Sequence, residues 1–385
     1  MLEHSPRSIQ PRKEVVAVQR VVHGAVGDRE LHDVGFAAGE VVDFSVNSNP
    51  IGPSPRVMET LGSVDIARYP DDSATDLRLA LGSLFALQPD QILVGNGSAE
   101  ILWLIALAYV RPGDVVALFG PTFGEYERVA HLMGGRVETL RTRASERFHI
   151  DLAAARRWLQ DLRPRLVILC SPNNPTGTYL GLAQIQEIVD ASGDALVVID
   201  EAYAGLLRDQ TQGHLSGLRA LLPLLQRENV VLVRSLTKDC ALAGLRLGYA
   251  LAPAEIAEVL GRVKPPWSVN RAAQAAGLAA LADGAHLEAG RQLASHAVDL
   301  MQEGFREQGR LVFDTAANFF LVEVGSGSQV RSDLLRHGLV VRDCTSFGLP
   351  SIIRVAARPL PDCERLIKAV AQLQLVARSA FPTAP

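Results

Sequence analysis

The chain has 385 residues, 48% of them hydrophobic and 21% charged, with a formal net charge of −4. That length is enough for two domains, or for one large α/β domain with a smaller partner. The slightly acidic balance excludes a basic nucleic-acid surface, and Arg7, Arg12, Lys13 and Arg20 read as a solvated arm. Cys170, Cys240, Cys344 and Cys363 are widely spaced and form no C-x-x-C pair, so reduced thiols are expected rather than a disulfide framework or a zinc site. The first residues lack the apolar core of a signal peptide. The longest apolar stretch, near Ile101 to Val110, is far short of the ~18–20 residues that span a bilayer. A soluble, cytoplasmic protein is expected, with neither nucleic acid nor membrane as a partner.

Residues 1–20 are polar and contain two prolines. Short apolar runs then alternate with helical patterns. The runs are Val115–Phe119, Leu166–Cys170, Ala195–Ile199, Val230–Arg234 and Arg246–Leu251. Most are continuously apolar, as in strands buried on both faces of a sheet. Strand–helix alternation of this kind predicts an α/β fold with a mainly parallel sheet. After Pro265-Pro266, the alanine-rich segment to about residue 310 predicts one long connecting helix. From about Asp314 the pattern resumes on a smaller scale: NFFLVEV, a helix near 329–337, LVVRD, IIRVAAR and a last helix near 361–377. This predicts an arm and part of a small domain over 1–45, a large domain over 46–280, and a smaller α+β domain over 281–385.

Candidate site residues follow the apolar runs. Gly95-Asn-Gly-Ser98-Ala99-Glu100 follows ILV and opens a helix, so its free N–H groups and the helix dipole make a phosphate cradle, or simply a capped glycine turn. Phe123 follows VVALF, as core or as a flat surface for a ring to stack on. Ser171-Pro-Asn-Asn174-Pro-Thr-Gly177 is a rigid turn that presents asparagine amides. Asp200 ends ALVVID and is followed by Tyr203; it reads as a helix N-cap or as an acid for a protonated ring nitrogen. Lys238 comes directly after a buried strand, in Ser235-Leu-Thr237-Lys238, with Arg246 further on. Burial lowers an amine's pKa and frees it for attack on an aldehyde. Hydroxyls and an arginine beside it suit a phosphate. Four apolar runs in order thus end in ligand-type residues, at the strand ends where α/β sheets place ligands.

These motifs, SLTKDCALAGLRLGY above all, resemble the class I/II aminotransferases, pyridoxal 5′-phosphate (PLP) enzymes of fold type I. The resemblance runs from about His23 to the last helix. It implies a Schiff base between Lys238 and PLP, with the same lysine moving the substrate's α-proton. Asp200 would then pair with the pyridine nitrogen, Tyr203 and Asn174 would bind the phenolic oxygen, and Phe123 would stack on the ring. Ser98, Ala99, Glu100, Ser235, Thr237 and Arg246 fall to the phosphate end. Tyr69, in Ala-Arg-Tyr-Pro-Asp, would reach the cofactor phosphate of a partner subunit, which implies a homodimer with shared active sites. Arg354 would clamp a substrate carboxylate. FSVNSNPIGPSP, RYPD, GNGSAE and VRDC are similar to histidinol-phosphate aminotransferases and threonine-phosphate decarboxylases. In the decarboxylase branch His23, Asn47, Arg342 and Arg354 would face the substrate. Asp239-Cys240 and the longer arm depart from that branch.

Three activities compete. Ping-pong transamination between an amino donor and a 2-oxo acid leads. Decarboxylation of O-phospho-threonine is the alternative, since substrate pose decides which bond breaks. A non-catalytic PLP-binding regulator is remote, because the segment before His23 is too short for a DNA-binding domain.

Overall fold

The computed structural model describes residues 9–208 and 213–380. Its strands are β1 (Val42–Asp43), β2 (Ile92–Gly95), β3 (Val115–Gly120), β4 (Arg136–Arg141), β5 (Leu166–Cys170), β6 (Leu196–Asp200), β7 (Val230–Ser235), β8 (Gly248–Leu251), β9 (Phe319–Glu323), β10 (Leu339–Val340), β11 (Arg342–Asp343) and β12 (Ile352–Ala356). A seven-stranded sheet runs β2-β8-β7-β6-β5-β3-β4, with β8 antiparallel to both its neighbours and the other pairs parallel. Alternate residues of its central strands enter opposite cores. Ala117, Phe119, Val167, Leu169, Val197 and Ile199 lie in one, and Val116, Leu118, Leu166, Ile168 and Val198 in the other. Both faces are covered by helices, which is why these strands read as unbroken apolar runs.

A separate core joins Phe44, the helix Gly284–Glu307 and the antiparallel sheet β11-β12-β9 with the last helix, Leu360–Ala380. β1 pairs with β10, so the chain just before the large sheet adds a strand beside this smaller unit. Among the described residues, no helix is long and apolar enough to cross a membrane.

The expected single connecting helix is two helices, Arg271–Leu281 and Gly284–Glu307. Asp283 separates them, its side chain accepting from the His286 N–H at 3.3 Å to cap the second. The run expected to start as a strand at Arg246 does so only at Gly248, because Arg246 sits in the left-handed region at φ +59°. β4 was not among the predicted runs. It is an edge strand of sequence RVETLR with exposed ends and half-buried centre, so it has no continuous apolar stretch.

Candidate active site

β2, β3, β5, β6 and β7 point the same way, so their C-terminal ends lie along one edge of the sheet. Antiparallel β8 starts at that same edge, where Gly248 stands opposite both Gly95 and Ser235. This register gathers the start of the helix Gly97–Tyr109, the Ser235–Lys238 turn and Arg246. The edge opens into a cavity of about 1060 Å³. Its wall includes Ser98, Ala99, Phe123, Asn174, Asp200, Tyr203, Thr237, Lys238 and Arg246. His23, Asn47, Arg342 and Arg354 enter from the arm and the smaller unit.

Lys238 is largely buried. Burial, reinforced by the charges of Arg354 and Arg246, lowers its amine to about 8, against the pull of Asp200. Its Nζ lies 6.0 Å from the centre of the Tyr203 ring. Asp200 is 3% exposed and has no ion-pair partner among the described residues. Its Oδ2 accepts from the Tyr126 hydroxyl at 2.7 Å and its Oδ1 from the Ala202 N–H at 2.9 Å. Burial raises its pKa despite these hydrogen bonds. Tyr203 is pushed up to about 12, chiefly by burial, and its hydroxyl accepts from Asn47 Nδ2 at 3.2 Å. Asn47 Nδ2 is thus spent on Tyr203, while its buried Oδ1 has no hydrogen-bond partner among the described residues.

At the other end of the cavity wall, a Cβ on Gly97 (φ +80°) would come within 2.9 Å of Arg246 Nη2. A Cβ on Gly248 would meet the Ser98 N–H at 2.5 Å. Glycine at both positions lets a guanidinium and a helix N-terminus converge, as anion binding requires. Thr237 Oγ1 is buried there without a hydrogen-bond partner among the described residues. Ser235 and Glu100 stand outside the wall. Ser235 Oγ accepts from the Thr237 N–H at 3.3 Å. Glu100 Oε2 accepts from the Asn96 N–H at 2.6 Å and from Ser268 Oγ at 3.0 Å, so it fixes the turn; a carboxylate there is the wrong sign for holding a phosphate. Tyr69 is 73% exposed, packs on Trp267 at 4.9 Å, and lies outside the cavity of its own protomer.

The far wall is cationic. Arg354 Nη2 donates to the Ser45 carbonyl at 2.6 Å, and Nη1 donates to Asn174 Oδ1. Arg342 Nη2 donates to the Val22 carbonyl and to Ser346 Oγ, both at 2.7 Å. Both arginines are buried.

The model of the family "aminotransferase class I and II" matches residues 39–370. The chain belongs to this aminotransferase family. Similar relatives are histidinol-phosphate aminotransferases from Moorella thermoacetica, 35% identical over 94% of this chain and 92% of the relative, and from Symbiobacterium thermophilum, 35% identical over 94% of each chain. Among solved structures, the histidinol-phosphate aminotransferase of Sinorhizobium meliloti in complex with pyridoxal 5′-phosphate aligns with a TM-score of 0.81 at 23% identity, covering 97% of this chain and all of that one. This last likeness is one of fold.

Two residues of the cavity wall escaped the sequence motifs. Tyr126 and Glu125 open the helix Glu125–Leu132 just after Phe123, and both line the cavity. The available signal was their closeness to Phe123, which precedes the helix and whose ring meets that of Tyr126 edge-on at 5.6 Å.

Proposed function

We propose that this protein is a PLP-dependent aminotransferase that moves an amino group between a phosphorylated amine of the histidinol-phosphate type and a 2-oxo acid. The observation that carries this reading is Lys238, a buried amine lowered to about 8, on the same cavity wall as the buried Asp200. The cofactor fits the residues present. Its phosphate would meet the N-terminus at Ser98 and Ala99, the unpartnered Thr237 hydroxyl and Arg246. Asp200 would hold the ring nitrogen's proton, which offsets the burial of its own charge. Phe123 would cover a ring face, and Asn174 and Tyr203 would reach the phenolic oxygen. Bound PLP supplies an electron sink for the bond broken at the substrate's α-carbon.

The chain's own residues do the rest. Lys238 would carry the cofactor's aldehyde carbon. As a free amine of lowered pKa, it would take the proton from the substrate's α-carbon and hand it on. Arg354 and Arg342 would bind the anionic ends of the donor and the 2-oxo acid. The arm residues that form part of the wall limit water. The same reading makes residues 46–280 the large cofactor-binding domain. Residues 281–385, with part of 1–45, form the smaller one, supported by the core that Phe44 shares with the helix Gly284–Glu307. We take the working unit as a homodimer, since Tyr69 is exposed beside Trp267 and lies outside its own cavity.

Support for transamination over decarboxylation comes from the curated relatives, histidinol-phosphate aminotransferases at 31–35% identity. The test supplies purified holoprotein with histidinol phosphate and 2-oxoglutarate and follows glutamate. O-phospho-threonine, with and without the keto acid, is followed for CO₂. Glutamate formation is expected; CO₂ release from O-phospho-threonine without a keto acid would overturn the assignment.

A further inference from the structure

Glu125 is 3% exposed and yet lines the cavity. A carboxylate this buried persists as a charge only where it is paired. Arg128 Nη1 donates to its two oxygens at 3.1 and 3.3 Å, and His23 Nε2 stands 3.2 Å from Oε1. Burial pushes Glu125 up, but the bonds from His23 and Arg128 prevail and hold it below the usual carboxylate range. Arg128 is itself braced over the Trp103 ring at 5.5 Å. Trp103, Arg128, Glu125 and His23 thus form a chain in which each group fixes the next, ending on a half-exposed imidazole.

That imidazole sits in a revealing place. It is on the arm, between Val22, whose carbonyl takes a hydrogen bond from Arg342, and Gly24, where a Cβ would lie 3.5 Å from Arg354 Nη2. Its ring packs 5.8 Å from that of Phe123. The arm itself is pressed close, since a Cβ on Gly124 would meet Val21 Cγ1 at 2.9 Å. His23 therefore borders the cavity beside the two cations of the far wall. With Nε2 committed to Glu125, Nδ1 is the ring nitrogen left for a ligand. Which nitrogen of a histidine carries the proton is set by what the other one bonds.

We propose that Glu125 is a positioning residue for substrate selection: it holds His23 so that the Nδ1 edge of the imidazole, together with Arg342, receives the phosphoryl group of the amino donor. This rests on the reading of the donor as a phosphorylated amine. A donor with no distal anion, such as L-alanine, makes no use of the contact. The carboxylate's own charge is taken up by Arg128 and His23, so it does not repel the phosphoryl group.

The test uses holoenzyme and four proteins: wild type, Glu125→Gln, His23→Ala and the double variant. Glu125→Gln is expected to raise KM for histidinol phosphate about tenfold with kcat changed less than about twofold, the pattern of lost binding rather than lost chemistry. Selectivity for histidinol phosphate over L-alanine should fall by a similar factor. His23→Ala should lose about as much, and the double variant no more than either, because both act through one contact. Unchanged KM in Glu125→Gln, an equal loss with L-alanine, or additive losses in the double variant would each overturn the role of Glu125. Failure of wild type to turn over histidinol phosphate or O-phospho-threonine would instead refute the reading of the donor. Retained visible absorbance of bound cofactor in each variant separates these outcomes from misfolding.

Discussion

Arg342 and Arg354 stand directly opposite each other across the antiparallel pair β11–β12, so two buried guanidiniums face one cavity from adjacent strands. Among the described residues neither has a carboxylate within ion-pair distance. Like charges opposed in this way cost stability. Burial lowers the pKa of both, and the charge of Arg354 lowers that of Arg342 further. The pair is therefore arranged for an anion that arrives from solution. Arg342→Gln should raise KM for histidinol phosphate between about tenfold and a hundredfold, while leaving the melting temperature of the substrate-free protein equal or higher. Inorganic phosphate should raise the melting temperature of wild type more than that of the variant. A variant that is less stable than wild type and equally responsive to phosphate would contradict this account.

Lys238 gives a pH-dependent prediction. Its folded pKa, about 8, lies below its ordinary value of 10.5. The unfolded chain therefore binds more protons between these values, and stability rises with pH across that window. In the cofactor-free protein, Lys238→Met should be more stable than wild type, by on the order of 3 kcal/mol below about pH 8. That advantage should shrink as pH climbs toward 10.5. Denaturant unfolding at a series of pH values measures the gap. The same variant should have no transaminase activity and no visible absorbance from lysine-bound cofactor.

Asp200 depends on Tyr126. The tyrosine hydroxyl is one of two hydrogen bonds to a carboxylate that burial already shifts upward. The folded state binds the extra proton here, so stability contributed by this group is lost as pH rises through its raised pKa. Tyr126→Phe removes a donor and should push the Asp200 pKa higher still. Cofactor affinity should fall by about tenfold at neutral pH, in line with the ~1–3 kcal/mol cost of unpairing a buried group. The loss should deepen as pH falls, because protonated Asp200 no longer favours a cationic ring nitrogen. Equilibrium titration with PLP from pH 6 to 9 checks this, and an affinity loss independent of pH would refute it.

The ends of β6 and β7 are tied together by a buried ion pair. Arg234 Nε and Nη2 donate to Glu201 Oε2 at 3.0 and 2.8 Å, and the side chains are 1% and 2% exposed. Arg234 also stacks over Phe85 at 4.8 Å. Glu201 follows Asp200, and Arg234 precedes the Ser235–Lys238 turn. Arg234→Met or Glu201→Leu alone should cost about 3–5 kcal/mol by stranding a buried charge, whereas the double variant should recover much of that loss. A double-mutant cycle in urea decides whether the two are coupled.

Sequence reading located much of the cavity-lining edge of the sheet because parallel strands announce their own ends. Asp200, the Ser171–Gly177 turn and Lys238 each follow an apolar run, and buried parallel strands are the runs easiest to recognise. It failed where the signal is spread over space. β4 is a half-polar edge strand. The break between Arg271–Leu281 and Gly284–Glu307 hangs on the cap of Asp283. Glu100 stood in a phosphate-like motif, yet its carboxylate is spent on Asn96 and Ser268.

The order of residues along the chain thus determined the α/β alternation, the strand ends and the lysine, since each is a local pattern of burial and turn chemistry. Which groups share a surface was decided by tertiary structure alone. The antiparallel entry of β8 brings Arg246 onto the helix N-terminus at Gly97. The fold sets Tyr126 against Asp200 and carries His23 across to Glu125. The reason is physical: a hydrogen bond and the shift of a pKa depend on distances of a few ångströms and on the exclusion of water. Both are properties of the packed chain, and no spacing in the sequence records them.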